Sequence, residues 1–239
     1  MFAGPNGSGK STIKDELANI LQIKIYVNAD ELEAQTKATG FIDLAEFGIE
    51  PTPRQIAAFH ASHPLLAKKN RIQEAVHLVV EGSKIDYRAV NVDSYFAAVI
   101  ADFIRQELLA KGESFTFETV MSHRSKVDIL RQAQALGYRT YLYFVSTENP
   151  EINIDRVRIR VEGGGHMVDP VTVKARYENS LELLPEAIAC SSRAFLYDNS
   201  GASSVLLAEV TDGTMLKYLT DDIPDWFFDA YVDKVNGAQ

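Results

Sequence analysis

Cysteine is almost absent: Cys190 stands alone in 239 residues. One cysteine excludes an intramolecular disulfide and the paired-thiolate spacing of zinc or cluster sites. Long apolar runs are missing too, since none approaches the roughly 20 residues that a membrane-spanning helix needs, and no N-terminal segment resembles a secretory signal. The plain reading is a protein of the reducing cytoplasm, without a membrane anchor. Basic residues are outnumbered, with 24 Lys and Arg against 33 Asp and Glu, a net charge of −9 and a pI near 5.1. Binding a nucleic-acid backbone normally needs clustered Lys and Arg, so this balance argues against a nucleic-acid partner. No internal repeat or low-complexity segment is present. A hydrophobic content of 46% is enough to bury a sizeable core as one α/β domain.

What is present begins at residue 4. Gly4-Pro5-Asn6-Gly7-Ser8-Gly9-Lys10-Ser11 fits G-x-x-x-x-G-K-[ST], a loop whose backbone N–H groups surround a nucleotide's phosphates while its lysine reaches the β/γ oxygens. Ser11 is the expected Mg²⁺ contact, and Thr12 follows as the helix begins, its positive N-terminus favouring the anion. A chain of this length meets the pattern by chance roughly one time in a hundred. Such a loop follows a buried strand, and only Met1-Phe2-Ala3 precede it here, so the natural start is expected upstream.

IKIYV (23–27), SFTF (114–117), TYLYFV (140–145) and AFLYD (194–198) are short apolar or aromatic runs of the kind that form buried parallel strands. Helical patterns at Ser11 to Gln22, Lys126 to Leu136 and Asn149 to Glu162 separate them. The alternation predicts an α/β P-loop fold: a doubly wound parallel sheet of about five strands flanked by helices. The whole chain, 1–239, reads as one kinase domain with a mostly helical insertion at about 41–111 and a lid-like segment at about 149–180. Within the insertion, SKIDYRAVNV (83–92) alternates weakly, as a short hairpin or an extended link would. SSVLLAEVTDG and IPDWFFDAYVDKV are expected to complete the edge of the domain.

In open parallel sheets ligands bind beyond the carboxyl ends of the strands, and the residues there are polar: Asn28-Ala29-Asp30, Glu118-Thr119, Ser146-Thr147-Glu148 and Asp198-Asn199-Ser200. Each also reads as an ordinary feature, with Asp30, Ser146 or Thr147 as helix caps and Asp198-Asn199-Ser200 as a turn. Phosphoryl transfer to a hydroxyl needs Mg²⁺, cations for the equatorial oxygens and a carboxylate to take the proton. Asp30 is the first choice for that carboxylate and Glu118 its competitor, with orienting substrate or a magnesium water as a second role. No DExx-type sequence is present, which points away from motors and towards group transfer. The cations are Arg156 and Arg160, four apart on one helical face, and Arg176 on the next helix beyond Gly163-Gly164-Gly165, the layout of a lid; a solvated basic helix has the same pattern.

AGPNGSGKST (3–12), VNADEL (27–32), SFTFETVMS (114–122), GYRTYLYFVST (137–147), RVRIRVEGGGHMV (156–168), ARYENSL (175–181) and YDNS (197–200) together resemble the zeta-toxin family of P-loop kinases, in order over most of the chain. The resemblance implies an adenylate-kinase-like core and transfer of the ATP γ-phosphate to a hydroxyl of a small nucleotide-type substrate, UDP-N-acetylglucosamine first among them. It implies Asp30 as the base, Lys10 and Ser11 at the phosphates and Mg²⁺, Arg160 and Arg176 as phosphate-binding arginines, and Glu118 and Thr119 on the substrate side with Asn28. Gly4, Asn6, Gly7, Ser8, Gly9, Thr12 and Arg156 complete the nucleotide contacts. A partner antitoxin is implied in the same way. The 41–111 insertion departs from the better-known toxins, so NAD or another nucleotide stands as an alternative acceptor, and a nucleotide-dependent switch acting through a protein partner as an alternative function.

Overall fold

The computed structural model describes residues 1–164 and 167–237. The chain begins with β1 (Phe2–Ala3), α1 (Lys10–Leu21), β2 (Tyr26–Val27), α2 (Ala29–Thr39) and β3 (Phe41–Asp43). It continues through α3 (Pro53–Ser62), α4 (Pro64–Lys68), β4 (Val79–Glu81), β5 (Lys84–Asp86), α5 (Ser94–Ala110) and β6 (Thr116–Thr119). Then come α6 (Ser125–Ala135), β7 (Tyr141–Ser146), α7 (Pro150–Glu162), α8 (Pro170–Glu182), α9 (Leu184–Ala189), β8 (Arg193–Asp198), β9 (Val205–Thr211) and β10 (Met215–Tyr218). These elements form two compact units, residues 1–22 with 118–239, here the loop unit, and residues 23–117, the insert unit.

In the loop unit the strands run in the order β10-β9-β8-β7-β1-β6. β8, β7, β1 and the Glu118-Thr119 end of β6 are parallel, while β9 and β10 are antiparallel. This is the α/β architecture with a mostly parallel sheet that the apolar runs predict. Of the two antiparallel strands, β9 lies within SSVLLAEVTDG and β10 follows just after it, together completing the edge. β1 is short but central: Phe2 and Ala3 are wholly buried, and the Met1 carbonyl extends its ladder by accepting from Tyr143 N–H at 2.9 Å. Phe2, Tyr143 and Phe195 sit opposite one another in register. Their rings stack at 4.8 and 5.0 Å, an aromatic ladder that fixes the pairing beneath the loop.

In the insert unit β2 runs parallel to Thr116-Phe117. A separate antiparallel sheet follows the order β3-β5-β4. PRQIAAFHASHPLLAKKNRIQEAVHLVV (53–80), part of the mostly helical reading of the insertion, ends instead in β4. Val80 pairs with Ile85 and Glu81 with Lys84, so the start of the weakly alternating stretch supplies the second strand of a hairpin closed by Gly82-Ser83, and its remainder, 87–92, is not strand. Helix α5 is apolar almost all round, with Phe96, Val99, Ile100, Phe103, Ile104 and Leu108 buried, as a helix at the centre of its unit must be. Asp93 caps it, accepting from the N–H groups of Tyr95 and Phe96 at 3.0 and 3.2 Å.

Candidate nucleotide site

The segment between β1 and α1 curls as the G-x-x-x-x-G-K-[ST] pattern requires. A Cβ on Gly4, at φ +141, would lie 2.0 Å from the Val145 carbonyl oxygen, and one on Gly9, at φ +92, would lie 2.1 Å from Asn199 Nδ2. Neither position tolerates a side chain without moving its neighbour. Lys10 opens α1 and is buried; its Nζ donates to the Pro5 carbonyl at 2.8 Å, which folds the ammonium back over the loop. Ser8 Oγ is buried and, among the described residues, without a hydrogen-bond partner.

Ser11 Oγ donates towards Glu118, at 3.2 Å from Oε1 and 3.1 Å from Oε2. The serine at the helix start and the carboxylate at the end of β6 therefore face each other, both belonging to the loop unit. Thr119 Oγ1 accepts from Met121 N–H at 3.2 Å, turning the chain as it leaves β6. Arg176, on α8, donates from Nη1 to Asn6 Oδ1 at 3.2 Å, so this cation stands at the loop. Arg156, on α7, donates to the carbonyls of Asn199 at 2.7 Å and Gly201 at 3.3 Å. Arg160, one turn further along α7, is exposed, and Arg158 turns elsewhere to pair with Asp155 at 3.0 Å. Helices α7 and α8 pack on one another; Gly165 and His166, between them in sequence, lie outside the described residues.

Two asparagines reach the loop: Asn153, which the sequence did not single out, and Asn199, which it placed at a polar strand end that also reads as a turn. Asn153 is wholly buried on the inward face of α7 and donates from Nδ2 to the Asn6 carbonyl at 2.7 Å, while its Oδ1 accepts from the Thr147 hydroxyl. Asn199, in the segment after β8, donates from Nδ2 to the Ser8 carbonyl at 2.8 Å. The available signal for Asn153 was an amide in a core-facing position of an otherwise amphipathic helix, where a polar side chain demands a partner. The Asp198-Asn199-Ser200 turn forms as expected, with Ser200 N–H on Asp198 Oδ2 at 2.9 Å. Ser200 Oγ and the Trp226 indole N–H both donate to Asp198 Oδ1, at 2.7 and 2.9 Å. Neither Ser146 nor Thr147 caps α7; Asn149 does, accepting from Ile152 N–H at 3.2 Å.

Asn28 and Asp30 belong to the insert unit. Asn28, not Asp30, is the cap of α2: its Oδ1 accepts from Asp30 N–H at 2.9 Å and its Nδ2 donates to the Tyr26 hydroxyl at 3.2 Å. Asp30 is exposed in the first turn of the helix. Tyr26, Asn28, Glu31, Gln35, Lys24 and Phe47 line a cavity of about 240 Å³ in the same unit. Among the described residues no group of three or more His, Cys, Asp or Glu side chains is arranged to hold a metal ion, and no helix is long and apolar enough to cross a membrane.

The chain is similar to several known proteins. A protein of Haemophilus influenzae whose function is uncharacterized is 24% identical over 176 residues, 74% of this chain and 89% of its own. The AvrRxo1-ORF1:ORF2 complex crystallised with ATP superposes with a TM-score of 0.52 at 16% identity, covering 91% of this chain; the chain spans 60% of the length of the matched one. The PezAT chromosomal toxin–antitoxin system of Streptococcus pneumoniae matches with a TM-score of 0.49 at 14% identity, over 99% of this chain and 82% of the other. The family described as Zeta toxin matches residues 72–207, more than half of the chain, from the middle of the insert unit through β8 and into β9. With that match and a P-loop ahead of it, the chain belongs to the zeta toxin family, whose fold is that of P-loop ATP-using kinases.

Proposed function

We propose that the protein transfers the γ-phosphate of ATP to a hydroxyl of a small nucleotide-type acceptor, with UDP-N-acetylglucosamine or a related UDP-sugar the first candidate. The observation that carries this reading is the meeting of Ser11 with Glu118 at the mouth of a loop that also holds Lys10 and Arg176. A hydroxyl and a carboxylate are hard oxygen donors of the kind Mg²⁺ takes together with water and phosphate, so Ser11 and Glu118 are the residues that would hold it. Bound there, the ion would neutralise charge on the β- and γ-phosphates. Lys10 leaves the Pro5 carbonyl for the phosphate oxygens, and the orphaned Ser8 hydroxyl fits a loop built around an anion. Arg176 and Arg160 supply positive charge to the transferred group, with the 149–180 segment as the lid that brings them in.

Asp30 takes the acceptor's proton in this reading. Its carboxylate is not spent on capping α2, because Asn28 does that. The acceptor's remaining groups belong in the cavity beside Asn28, whose amide, tyrosine, lysine and carboxylate lining suits a polar nucleotide-type molecule. The test is incubation with Mg²⁺-ATP and a panel of UDP-sugars, NAD and nucleosides, with mass spectrometry for the gain of one phosphate. A phosphorylated UDP-sugar supports the reading and phosphorylated NAD moves it to the alternative acceptor. ATP hydrolysis with no acceptor modified favours the switch. A protein partner is part of the proposal as well, since AvrRxo1-ORF1 is found with ORF2 in the ATP complex; co-purification with the product of a neighbouring gene tests it.

A further inference from the structure

We infer that Asn153 and Asn199 are positioning residues of the nucleotide site, each gripping one carbonyl of the phosphate loop from outside and thereby aiming the next amide at the anion. The inference rests on the proposed ATP reading for the identity of that anion. A trans peptide carries its C=O and N–H on opposite sides, and among the described residues no peptide bond is cis. Fixing the Asn6 carbonyl therefore fixes the Gly7 N–H, and fixing the Ser8 carbonyl fixes the Gly9 N–H, each pointing away from the asparagine that holds its partner. Both of these peptides end in a glycine, the residue that resists rotation of a peptide plane least. Without a brace, the amides that a phosphate must find in place are the ones freest to turn away.

The braces are themselves held. A carbonyl only accepts, so both side-chain amides must present nitrogen to the loop. Asn153 is locked in that sense by the Thr147 hydroxyl on its Oδ1. Thr147 lies just after β7, and Tyr177 Oη donates to the Thr147 carbonyl at 2.7 Å. Asn199 is pinned through its backbone, its N–H on the Ser146 carbonyl at 2.8 Å and its carbonyl under Arg156 at 2.7 Å. Arg156 thus acts on the loop through Asn199, tying α7 to the segment after β8. Preset donors of this kind cost no reorganisation when the anion arrives.

The test uses Asn199→Asp in the full chain, a substitution that keeps shape but sets a carboxylate against the Ser8 carbonyl. Affinity for ATP and for inorganic tripolyphosphate is measured by calorimetry, thermal unfolding without ligand by calorimetry, and the glycine amides by NMR of ¹⁵N-glycine-labelled protein. The expected result is about tenfold weaker binding of both ligands, the worth of one charge-assisted hydrogen bond. The unfolding temperature of the free protein should stay near wild type, and the Gly9 amide response to tripolyphosphate should shrink while that of Gly7 persists. Asn199→Ala, which leaves the carbonyl to water, should weaken binding about threefold with the same loss at Gly9. Wild-type affinity with an unchanged Gly9 response in both variants overturns the inference, as does failure of both to fold, which would assign Asn199 to the fold alone. A wild-type protein that binds tripolyphosphate but phosphorylates no acceptor overturns the proposed function and leaves this result standing. One that binds neither ligand overturns both.

Discussion

Both units bury polar side chains, and they spend them differently. In the loop unit Asn6, Ser8, Lys10 and Asn153 are nearly or wholly buried, and Lys10 and Asn153 both donate to carbonyls of the loop itself. In the insert unit the buried or half-buried groups answer one another. Arg71 holds Glu74 through two bonds of 2.6 Å, Asp93, and the Asn91 carbonyl at 2.6 Å, and lies over the Phe96 ring. Arg105 holds Asp102 at 2.9 Å, and Asp102 faces His63 at 3.4 Å. A buried charge paired with another charge finishes a fold; a buried amide gripping the carbonyls of a glycine loop prepares a surface for something else. The identity of the partner, more than burial itself, separates a site from a scaffold.

Substitutions at groups that face the loop or the acceptor, and at buried groups paired with one another, should therefore separate activity from stability. Lys10→Ala should have the largest effect, reducing phosphoryl transfer to background while thermal unfolding stays close to wild type; retained transfer would remove the loop from the chemistry. Asp30→Asn should slow acceptor phosphorylation by about a hundred- to ten-thousandfold. Because Asn28 caps α2, this change carries no capping penalty, so a near-wild-type rate would move the base assignment to Glu118. His60 gives the insert unit a pH signature. Its ring is wholly buried and lies near Tyr87 and Phe96, and its Nδ1–H is on the Ile56 carbonyl at 2.8 Å. Burial pulls its pKa from 6.5 down to about 4, outweighing that hydrogen bond, with the His63 charge a smaller push in the same direction.

Unfolded chains then bind a proton at position 60 below pH 6.5 that folded ones refuse until about pH 4. Stability is lost as pH falls through that window, by about 3 kcal/mol, and levels off below it. Denaturant unfolding of wild type and His60→Gln across pH 7 to 4 checks this, since only the wild-type curve should carry the extra slope. The smallest change is expected from Arg71→Met, a loss of about 2 kcal/mol from a partly exposed network, read by the same unfolding measurement. Tripolyphosphate affinity of the folded variant should be unaltered, and a change there would blur the division between paired buried charges and the groups of the site.

The phosphate loop was legible because its chemistry constrains residue type at fixed spacing: Gly4 and Gly9 sit where no Cβ fits. The parallel strands were legible because burial on both faces writes continuous apolar runs such as YLYFV. Asn153 was not, and Asn199 only as part of a polar strand end, since an asparagine in a helix or a turn looks the same whether or not a carbonyl waits beyond it; only the packing of α7 and β8 around the loop supplies one. Asn28 and Asp30 are both good cap formers two residues apart, and which of them caps depends on backbone angles that their identities leave open. Val79-Val80 is too short an apolar run to reveal β4 inside a helical pattern, so the hairpin depended on its partner strand.

Trp226 is the only tryptophan in the chain, and its indole N–H ends on Asp198, the residue immediately before Asn199. Indole emission responds to the field and hydrogen bonding at that nitrogen. The protein therefore carries its own optical gauge, set one residue away from the phosphate-loop clamp. Nucleotide arrival that tightens or shifts the segment after β8 will register as a change in tryptophan fluorescence, in unlabelled protein and on the millisecond scale of rapid mixing.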